Sequence, residues 1–442
     1  MKRYDSYKDS GVQWIEKIPS HWTSVPIKYS VNSPYNSFID GDWIESNVIV
    51  SDGIRYLTTG NVGVLKYKEQ GNGFISEATF EKLNCAEVFP GDLLISRLNE
   101  PIGRTCMVPN LGYRIVVAVD NVIYRPNENL YDKQFLVYQM NCKPYADSAN
   151  FIARGSTMTR VSRTTLGQFK IIVPPIGEQQ AIASYLDKRC GEIDKAIAKQ
   201  QKRIELLQEL RQSIITNAVT RGINPDAPLK DSGVEWIGQV PEHWEVMKTS
   251  LIYNNIGSGT TPSSSNPLYY TEDTNGYLWL QTGDLNDGFI SDTSKKVTKL
   301  AVNECKLKFY PVNSVVIAMY GATIGKVGLL KIETATNQAC CVLPKSKKMN
   351  ELFSFYLYQA AKQPMILEAM GGGQPNISQD IIKKLKIPVP PIFEQHQIVD
   401  HIEKQTARLD KSIAKAEHRI ELLQELKQSI ITEIVTGKRK VC

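Results

Sequence analysis

The sequence predicts two α/β (α+β) domains joined by two long antiparallel coiled-coil helices, the whole built as a pseudo-two-fold internal duplication. Three observations carry this expectation. Short blocks recur late in the chain, the regions between them diverge, and one recurring block has the apolar spacing of a long helix. The length of 442 residues corresponds to about three domain-sized units at roughly 150 residues each. A repeat this long excludes a solenoid, whose period is about 20–50 residues.

The first block is Lys8-Asp9-Ser10-Gly11-Val12-x-Trp14-Ile15 followed by Pro19-x-His21-Trp22. It returns as Lys230-Asp231-Ser232-Gly233-Val234-x-Trp236-Ile237 and Pro241-x-His243-Trp244. The second is Val173-Pro174-Pro175-Ile176-x-Glu178-Gln179, returning as Val389-Pro390-Pro391-Ile392-x-Glu394-Gln395. The stretch from Arg203 to Thr216 returns from Arg419 to Thr432 with one difference, Arg211 against Lys427. The expected layout is a first domain over 1–172 with its box at 1–22, and a central helix over 173–222. A second domain follows over 223–388 with its linker and box at 223–244, and a C-terminal helix over 389–442.

Each helix block opens after Pro-Pro, which suits a helix start and cannot lie inside one. Leu186, Ile193, Leu207 and Ile214 fall on a seven-residue grid that Gln200 completes. Ile402, Leu409, Ala416, Leu423 and Ile430 fall on the equivalent grid, and the positions between carry Lys, Arg, Glu and Gln. That is a coiled-coil or bundle pattern. The expected pair core is Leu186, Ile193, Leu207, Ile214, Leu409, Leu423 and Ile430. Two like stripes in one chain bury most simply against each other, and a pseudo-two-fold axis makes them antiparallel.

Composition narrows the function classes. Apolar residues make up 42% and charged residues 22%, ordinary values for a globular chain. No run reaches the ~18 apolar residues of a membrane helix. The start of the chain lacks the apolar stretch of a secretion signal, which points to the cytoplasm. The net charge of +6 permits a nucleic-acid partner without demanding one. Eight cysteines include no Cys-x-x-Cys pair, so a structural zinc site is not expected.

Catalytic motifs are not found. Gly321-Ala322-Thr323-Ile324-Gly325-Lys326-Val327 falls one residue short of a P-loop and has Val327 where Ser or Thr would meet magnesium. Gly257-Ser258-Gly259-Thr260-Thr261-Pro262 puts Pro262 at the last glycine of the dinucleotide fingerprint. His396 and His401 are five apart, on different helix faces, and so are not a metal pair. Glu304-Cys305-Lys306 lacks an upstream acidic partner for a nuclease site. The Asn/Asp-Pro-Pro-aromatic loop of amino-methyltransferases is absent.

The divergent regions carry residues suited to DNA. Leu57-Thr58-Thr59-Gly60-Asn61 corresponds to Leu280-Gln281-Thr282-Gly283-Asp284, each a polar loop after an apolar stretch. Ala153-Arg154-Gly155-Ser156-Thr157-Met158-Thr159-Arg160 corresponds to Ala369-Met370-Gly371-Gly372-Gly373-Gln374-Pro375-Asn376. Glycine lets backbone approach phosphate, Arg can read guanine, and Asn or Gln can read adenine. Arg97, Arg104, Arg114, Arg163 and Lys326 are candidate phosphate contacts. The expected DNA-binding set is Thr59, Gly60, Asn61, Arg97, Arg104, Arg154, Ser156, Thr157, Thr159, Arg160 and Arg163 in the first domain. In the second it is Thr282, Gly283, Asp284, Tyr320, Lys326, Gly373, Gln374 and Asn376.

Along essentially its whole length the chain resembles the specificity (S) subunit of type I restriction-modification systems. The resemblance rests on Gly233-Val234-Glu235-Trp236-Ile237-Gly238 with Pro241-x-His243-Trp244, on Gly259-Thr260-Thr261-Pro262 with Tyr269-Tyr270, and on Trp279-Leu280-x-Thr282-Gly283-Asp284. It rests also on Gly373-Gln374-Pro375-Asn376-Ile377-Ser378, on Pro390-Pro391-x-x-Glu394-Gln395, and on Arg419-Ile420-Glu421-Leu422-Leu423-Gln424-Glu425-Leu426. The first domain departs from this wording: it lacks Gly-x-Thr-Pro, and Gly155-Ser156-Thr157-Met158-Thr159-Arg160 stands in place of the Gly-rich loop.

The resemblance implies two target-recognition domains, each reading one half of an asymmetric, interrupted sequence in double-stranded DNA. It implies helices that set the spacer and dock two methyltransferase (M) subunits, with restriction (R) subunits completing the nuclease. It places no cofactor in this chain, since the partners use S-adenosylmethionine, ATP and magnesium, and it makes the chain a non-catalytic subunit. A methyltransferase-only system, and a coiled-coil adaptor with two ligand-binding heads, are the alternatives.

Overall fold

The computed structural model describes residues 2–99, 101–153, 159–369 and 376–441. The chain divides into two compact units, Met1–Gln201 with His418–Cys442, and Lys202–Glu417. Each unit therefore takes part of both long helices.

In the first unit, Tyr7–Val12 and Ile15–Pro19 form an antiparallel hairpin. Thr23–Pro26 then pairs antiparallel with Lys170–Val173, which leads into the central helix. One four-stranded sheet has the order Phe38–Asp40, Asn121–Tyr124, Leu93–Ser96, Thr105–Met107; a second has Phe74–Ile75, Ile54–Leu57, Ile115–Val117, Glu87–Val88. Leu94 and Ile123 of the first sheet pack with Leu57, Ile115 and Val117 of the second. Leu93, Ile95, Val122 and Tyr124 point the other way, into a core with Phe135, Val137 and Tyr145 from the helices Lys133–Met140 and Lys143–Ile152. The sheet is covered on both faces, which is why Leu93-Leu94-Ile95 reads as an unbroken apolar run.

The second unit repeats this plan. Glu245–Lys248 pairs with Lys386–Val389. One five-stranded sheet has the order Gly257–Ser258, Cys340–Leu343, Val315–Ala318, Val327–Leu330, Gly288–Ile290. The other has Tyr270–Thr271, Lys295–Val297, Tyr277–Leu280, Thr334–Thr336, Phe309–Tyr310. Leu280 and Tyr310 of the second sheet pack with Val316, Cys340 and Val342 of the first.

The long helices are Ile176–Arg221, of 46 residues, and Ile392–Val435, of 44, so each is about 65–70 Å long. Within the first unit Lys427 Nζ donates to Asp194 at 2.6 Å. Ile431, Ile434 and Val435 join a core with Ile182, Leu186 and Cys190. Within the second, Arg211 Nε donates to Asp410 at 3.1 Å, and Ile215, Ala218 and Val219 join Ile398 and Ile402. Early residues of one helix meet late residues of the other in both units, so the helices are antiparallel.

The seven-residue grid needs one correction. Leu186, Ile193 and Ile402 are buried, but Leu207, Ile214, Leu409, Leu423 and Ile430 are only half-buried. One residue after Ile214 and Ile430, Ile215 and Ile431 are fully buried. An α-helix lags a strict seven-residue repeat by ~20° per heptad. Four heptads after Leu186 or Ile402 the lag is about 80°, close to the ~100° step between neighbours. The buried face therefore moves one residue along.

The recurring motifs interlock. Glu178 accepts from Trp22 Nε1 at 3.1 Å and meets His21 Nε2 at 2.9 Å, and Tyr4 donates to its other oxygen. Glu394 meets His243 Nε2 at 2.8 Å. The neighbouring Gln179 donates to the carbonyls of Leu130 and Pro174 and accepts from Asp132 N. Gln395 does the same with Lys348, Pro390 and Asn350. Both glutamines are fully buried, where an unpaired amide would cost about 1–3 kcal/mol. Thus the Glu-Gln pair fastens the first turn of each helix to its own box and its own domain. Gly222 ends the central helix in the left-handed region, where a Cβ would lie 3.2 Å from the Trp244 ring.

Candidate nucleic-acid interface

In the first unit, the strand Ile54–Leu57 ends in a single turn, Thr59–Asn61. Asn61 is fully buried. Its Oδ1 accepts from Thr58 N at 2.8 Å, and its amide donates to the carbonyls of Lys68 (3.0 Å) and Gln70 (2.8 Å). In the second unit Asp284 closes the matching turn, accepting from Gln281 N at 2.9 Å and Ser294 N at 3.1 Å. The Thr-Gly-Asn and Thr-Gly-Asp signatures are thus built to hold a turn. The expected base contact at Asn61 is corrected, because every polar atom of its side chain is used inside the domain. Thr59, Gly60 and Thr282 are half-buried, and Gly283 is exposed.

Arg104 needs the same correction. It is buried, donating to the carbonyls of Val62 (2.6 Å), Leu98 (2.8 Å), Thr59 (2.9 Å) and Pro101 (3.1 Å). A guanidinium offers five donors in a fixed fork, and four carbonyls take this one up. It ties the Thr59 turn to the loop after strand Leu93–Ser96 and has no surface for phosphate. Lys326, its counterpart, is half-buried. Arg114 lies on the surface between Glu77 (2.5 Å) and Glu87 (3.0 Å).

Three other arginines come together. Arg97 lies 3.4 Å from Asp40 and 3.7 Å from Asp120, Arg160 lies 3.8 Å from Asp120, and Arg163 lies 3.4 Å from Asp40. Arg97 is buried and donates to the Val119 carbonyl, while Arg160 and Arg163 are exposed. A cavity of about 480 Å³ opens here, lined by Arg97, Ile152, Arg160, Val161, Ser162 and Thr165. Thr159 beside it is half-buried. In the second unit Asn376 is exposed, and Tyr320 packs against the apolar core. Arg154, Ser156, Thr157, Gly373 and Gln374 lie outside the described residues.

Sequence reasoning did not single out Asp40 and Asp120, and nothing in their spacing marks them. Among the described residues there is no group of three or more His, Cys, Asp and Glu side chains placed to hold a metal ion. No described helix is long and apolar enough to cross a membrane.

The model of the type I restriction modification DNA specificity domain matches this chain twice, over residues 42–208 and 241–422. The chain belongs to that family. It is 26% identical over 380 residues to a putative type I restriction enzyme specificity subunit, MjaX, of Methanocaldococcus jannaschii, covering 84% of this chain and 83% of that one. It is 24% identical over 364 residues to the EcoBI specificity subunit of Escherichia coli, covering 79% and 74%. A solved chain described under "Structural basis underlying complex assembly and conformational transition of the type I R-M system" superposes with a TM-score of 0.68. Its identity is 16%, with 96% of this chain and 100% of that chain covered, so it speaks to the fold. The protein is a DNA specificity subunit with two recognition units and two long antiparallel helices.

Proposed function

We propose that each recognition unit reads one half of an asymmetric, interrupted target in double-stranded DNA, and that the two helices set the distance between the halves. On this reading two methyltransferase subunits dock on the helices and supply S-adenosylmethionine chemistry. Restriction subunits bring ATP and magnesium, and this chain contributes no catalytic group. It works in the cytoplasm beside the chromosome. On this reading the contacts to DNA are Thr59, Gly60, Thr159, Arg160 and Arg163 in one unit, with the buried Arg97 beside them. Thr282, Gly283, Lys326 and Asn376 serve in the other, and the sequence adds Arg154, Ser156, Thr157, Gly373 and Gln374, which lie outside the described residues.

The observation that carries this is the contrast between helix and head. The stretches 203–216 and 419–432 are nearly identical, yet Leu206, Leu210, Leu422 and Leu426 in them are about half exposed. Core packing does not require that surface sameness, whereas one kind of partner bound twice does. Apolar side chains spaced four apart on an exposed helix face are what such a partner would cover. The heads, by contrast, keep one fold and change its side chains.

Adenine-methylation mapping in cells carrying this chain and its methyltransferase tests the proposal. A two-part motif is expected. Exchanging residues 23–172 for those of another subunit should change one half only. A continuous motif, or two unchanged halves after the exchange, refutes it.

A further inference from the structure

The two units carry the same backbone site with opposite chemistry. In the first, Arg97 N donates to the Asp120 carbonyl at 2.8 Å and Val161 N to the Arg97 carbonyl at 3.1 Å. In the second, Met319 N donates to the Ala339 carbonyl and Ile377 N to the Met319 carbonyl, both at 2.8 Å. The strands agree in register. Asn121 pairs with Ser96 and Val122 with Asp40, while Cys340 pairs with Ala318 and Cys341 with Ser258. Arg97 therefore corresponds to Met319, Asp120 to Ala339 and Asp40 to Ser258. One residue before Val161 and Ile377 stand Arg160 and Asn376. After them, Ser162 and Ser378 each cap a short helix, and Arg163 faces Gln379 in the correspondence.

Three guanidiniums and two carboxylates in one unit are thus replaced by a thioether, two amides, a hydroxyl and a methyl in the other. The charged set is not closed on itself. Asp40 Oδ1, Asp120 Oδ1 and Arg97 Nε are buried and make no hydrogen bond, and the ion contacts of 3.4–3.8 Å are too long for one. Arg160 keeps most of its fork free beside the cavity. A buried guanidinium and an exposed one lining a pocket, backed by carboxylates that leave an oxygen unsatisfied, suit a ligand that brings both acceptors and a donor. The major-groove edge of a G·C pair does so, with O6 and N7 on guanine and N4–H on cytosine. A phosphate brings acceptors only. The uncharged counterpart suits an A·T pair, where an amide reads adenine and an apolar side chain meets the thymine methyl.

We propose that the first unit reads a G·C pair through Arg160, with Asp120 and Arg97 as positioning residues, and that the second reads an A·T pair through Asn376 at the equivalent place. This rests on the specificity-subunit reading above and assigns the base class that each unit takes.

The test uses the full chain assembled with its methyltransferase subunits. The target is first mapped by methylation, and duplex binding is then measured with single bases altered. Replacing one guanine in one half-site by 7-deazaguanine, which lacks the N7 acceptor, should weaken binding roughly 10-fold. Arg160→Ala should abolish that difference and relax that base pair alone. Asp120→Asn should lower the guanine-over-adenine ratio there while binding to unrelated DNA holds, which a merely structural role would not produce. Asn376→Ala should relax an A·T pair in the other half. Arg160→Ala relaxing an A·T pair, weakening all sequences alike, or leaving the 7-deazaguanine penalty intact would overturn the assignment while leaving the subunit's role standing. A complex that methylates no two-part motif would overturn that role itself.

Discussion

Replacing Ile431 by alanine tests the drift of the buried helix face. Ile431 is fully buried in the first unit's core with Leu186, Cys190 and Ile434, and its neighbour Ile430 only leans against that core. Truncating a fully buried Ile costs about 2–5 kcal/mol, because the removed methylenes lose their burial and leave a cavity. The surroundings here are a helix end held by several contacts, so about 3 kcal/mol is expected. Ile430→Ala should cost about 1 kcal/mol, in proportion to its smaller buried area. The chain has two units, so a single global unfolding energy is a poor readout. Hydrogen exchange followed by mass spectrometry reads each unit separately. At 1.4 kcal/mol per tenfold, Ile431→Ala should speed exchange through sub-global opening in residues 176–201 by roughly 100-fold, against less than 10-fold for Ile430→Ala. Equal effects, or a larger one at Ile430, would mean that the strict seven-residue grid describes the packing and the 20° lag does not.

Three further outcomes follow from the same structure. Burial pushes the thiols of Cys106, Cys142 and Cys341 up to about 12, so iodoacetamide at pH 8 should label them only after denaturation, with the less buried Cys305 labelled first; early labelling of Cys106 in the native chain would contradict this. Burial works to raise the Asp194 carboxyl, but hydrogen bonds from Lys427 and Lys66 outweigh it and hold it below its ordinary value. Its contribution to stability is then present above the unfolded-state pKa and lost as pH falls through the lower folded one. The destabilisation by Asp194→Asn should be level near neutrality and shrink below about pH 4, and a gap that widens on acidification would reverse the assignment. Leu206→Lys with Leu422→Lys should leave the circular dichroism of the chain unchanged, because both side chains are about half exposed, while abolishing co-purification with the methyltransferase. Retained assembly would remove this surface from the docking site.

The architecture was legible because duplication leaves two readings of the same physics. Pro174-Pro175 and Pro390-Pro391 mark two helix starts, and the long apolar grids fix both the helices and their need for a partner. The side-chain roles were less legible, because a residue's burial depends on neighbours distant in sequence. Arg104 looked like a phosphate contact from its charge alone, yet carbonyls from residues 59, 62, 98 and 101 converge on it only when the loops meet. Asn61 looked like a reader of bases, yet its amide spans a nine-residue loop to the Gln70 carbonyl. Glu178 and Gln179 were visible as a repeated dipeptide, but their partners Trp22 and Leu130 lie far away along the chain. Repetition marked them as needed without saying for what.

The same reasoning explains how one scaffold holds two specificities. Groups that fix geometry stay alike in the two units: the Glu-Gln pair at each helix start, the turn-closing side chain at Asn61 or Asp284, and the backbone bonds that flank Arg97 or Met319. Groups that face the cavity change class. Gln179, Gln395 and Asn61 are buried with their amides paired, so altering one of them alone would leave a polar partner stranded at about 1–3 kcal/mol. Arg160 and Asn376 are exposed, and the one ion contact of Arg160, with Asp120, is a long 3.8 Å, so changing them strands little. A protein of marginal stability can therefore change what it reads at these positions at little cost, provided that charge and counter-charge change together, as Arg97, Asp40 and Asp120 do when they become Met319, Ser258 and Ala339. Changing Arg97 alone to methionine would take from the half-buried Asp40 and Asp120 the cation they share, leaving only the exposed Arg163 at 3.4 Å from one and Arg160 at 3.8 Å from the other. The weakened compensation of those two charges favours changing the cluster together over changing Arg97 by itself.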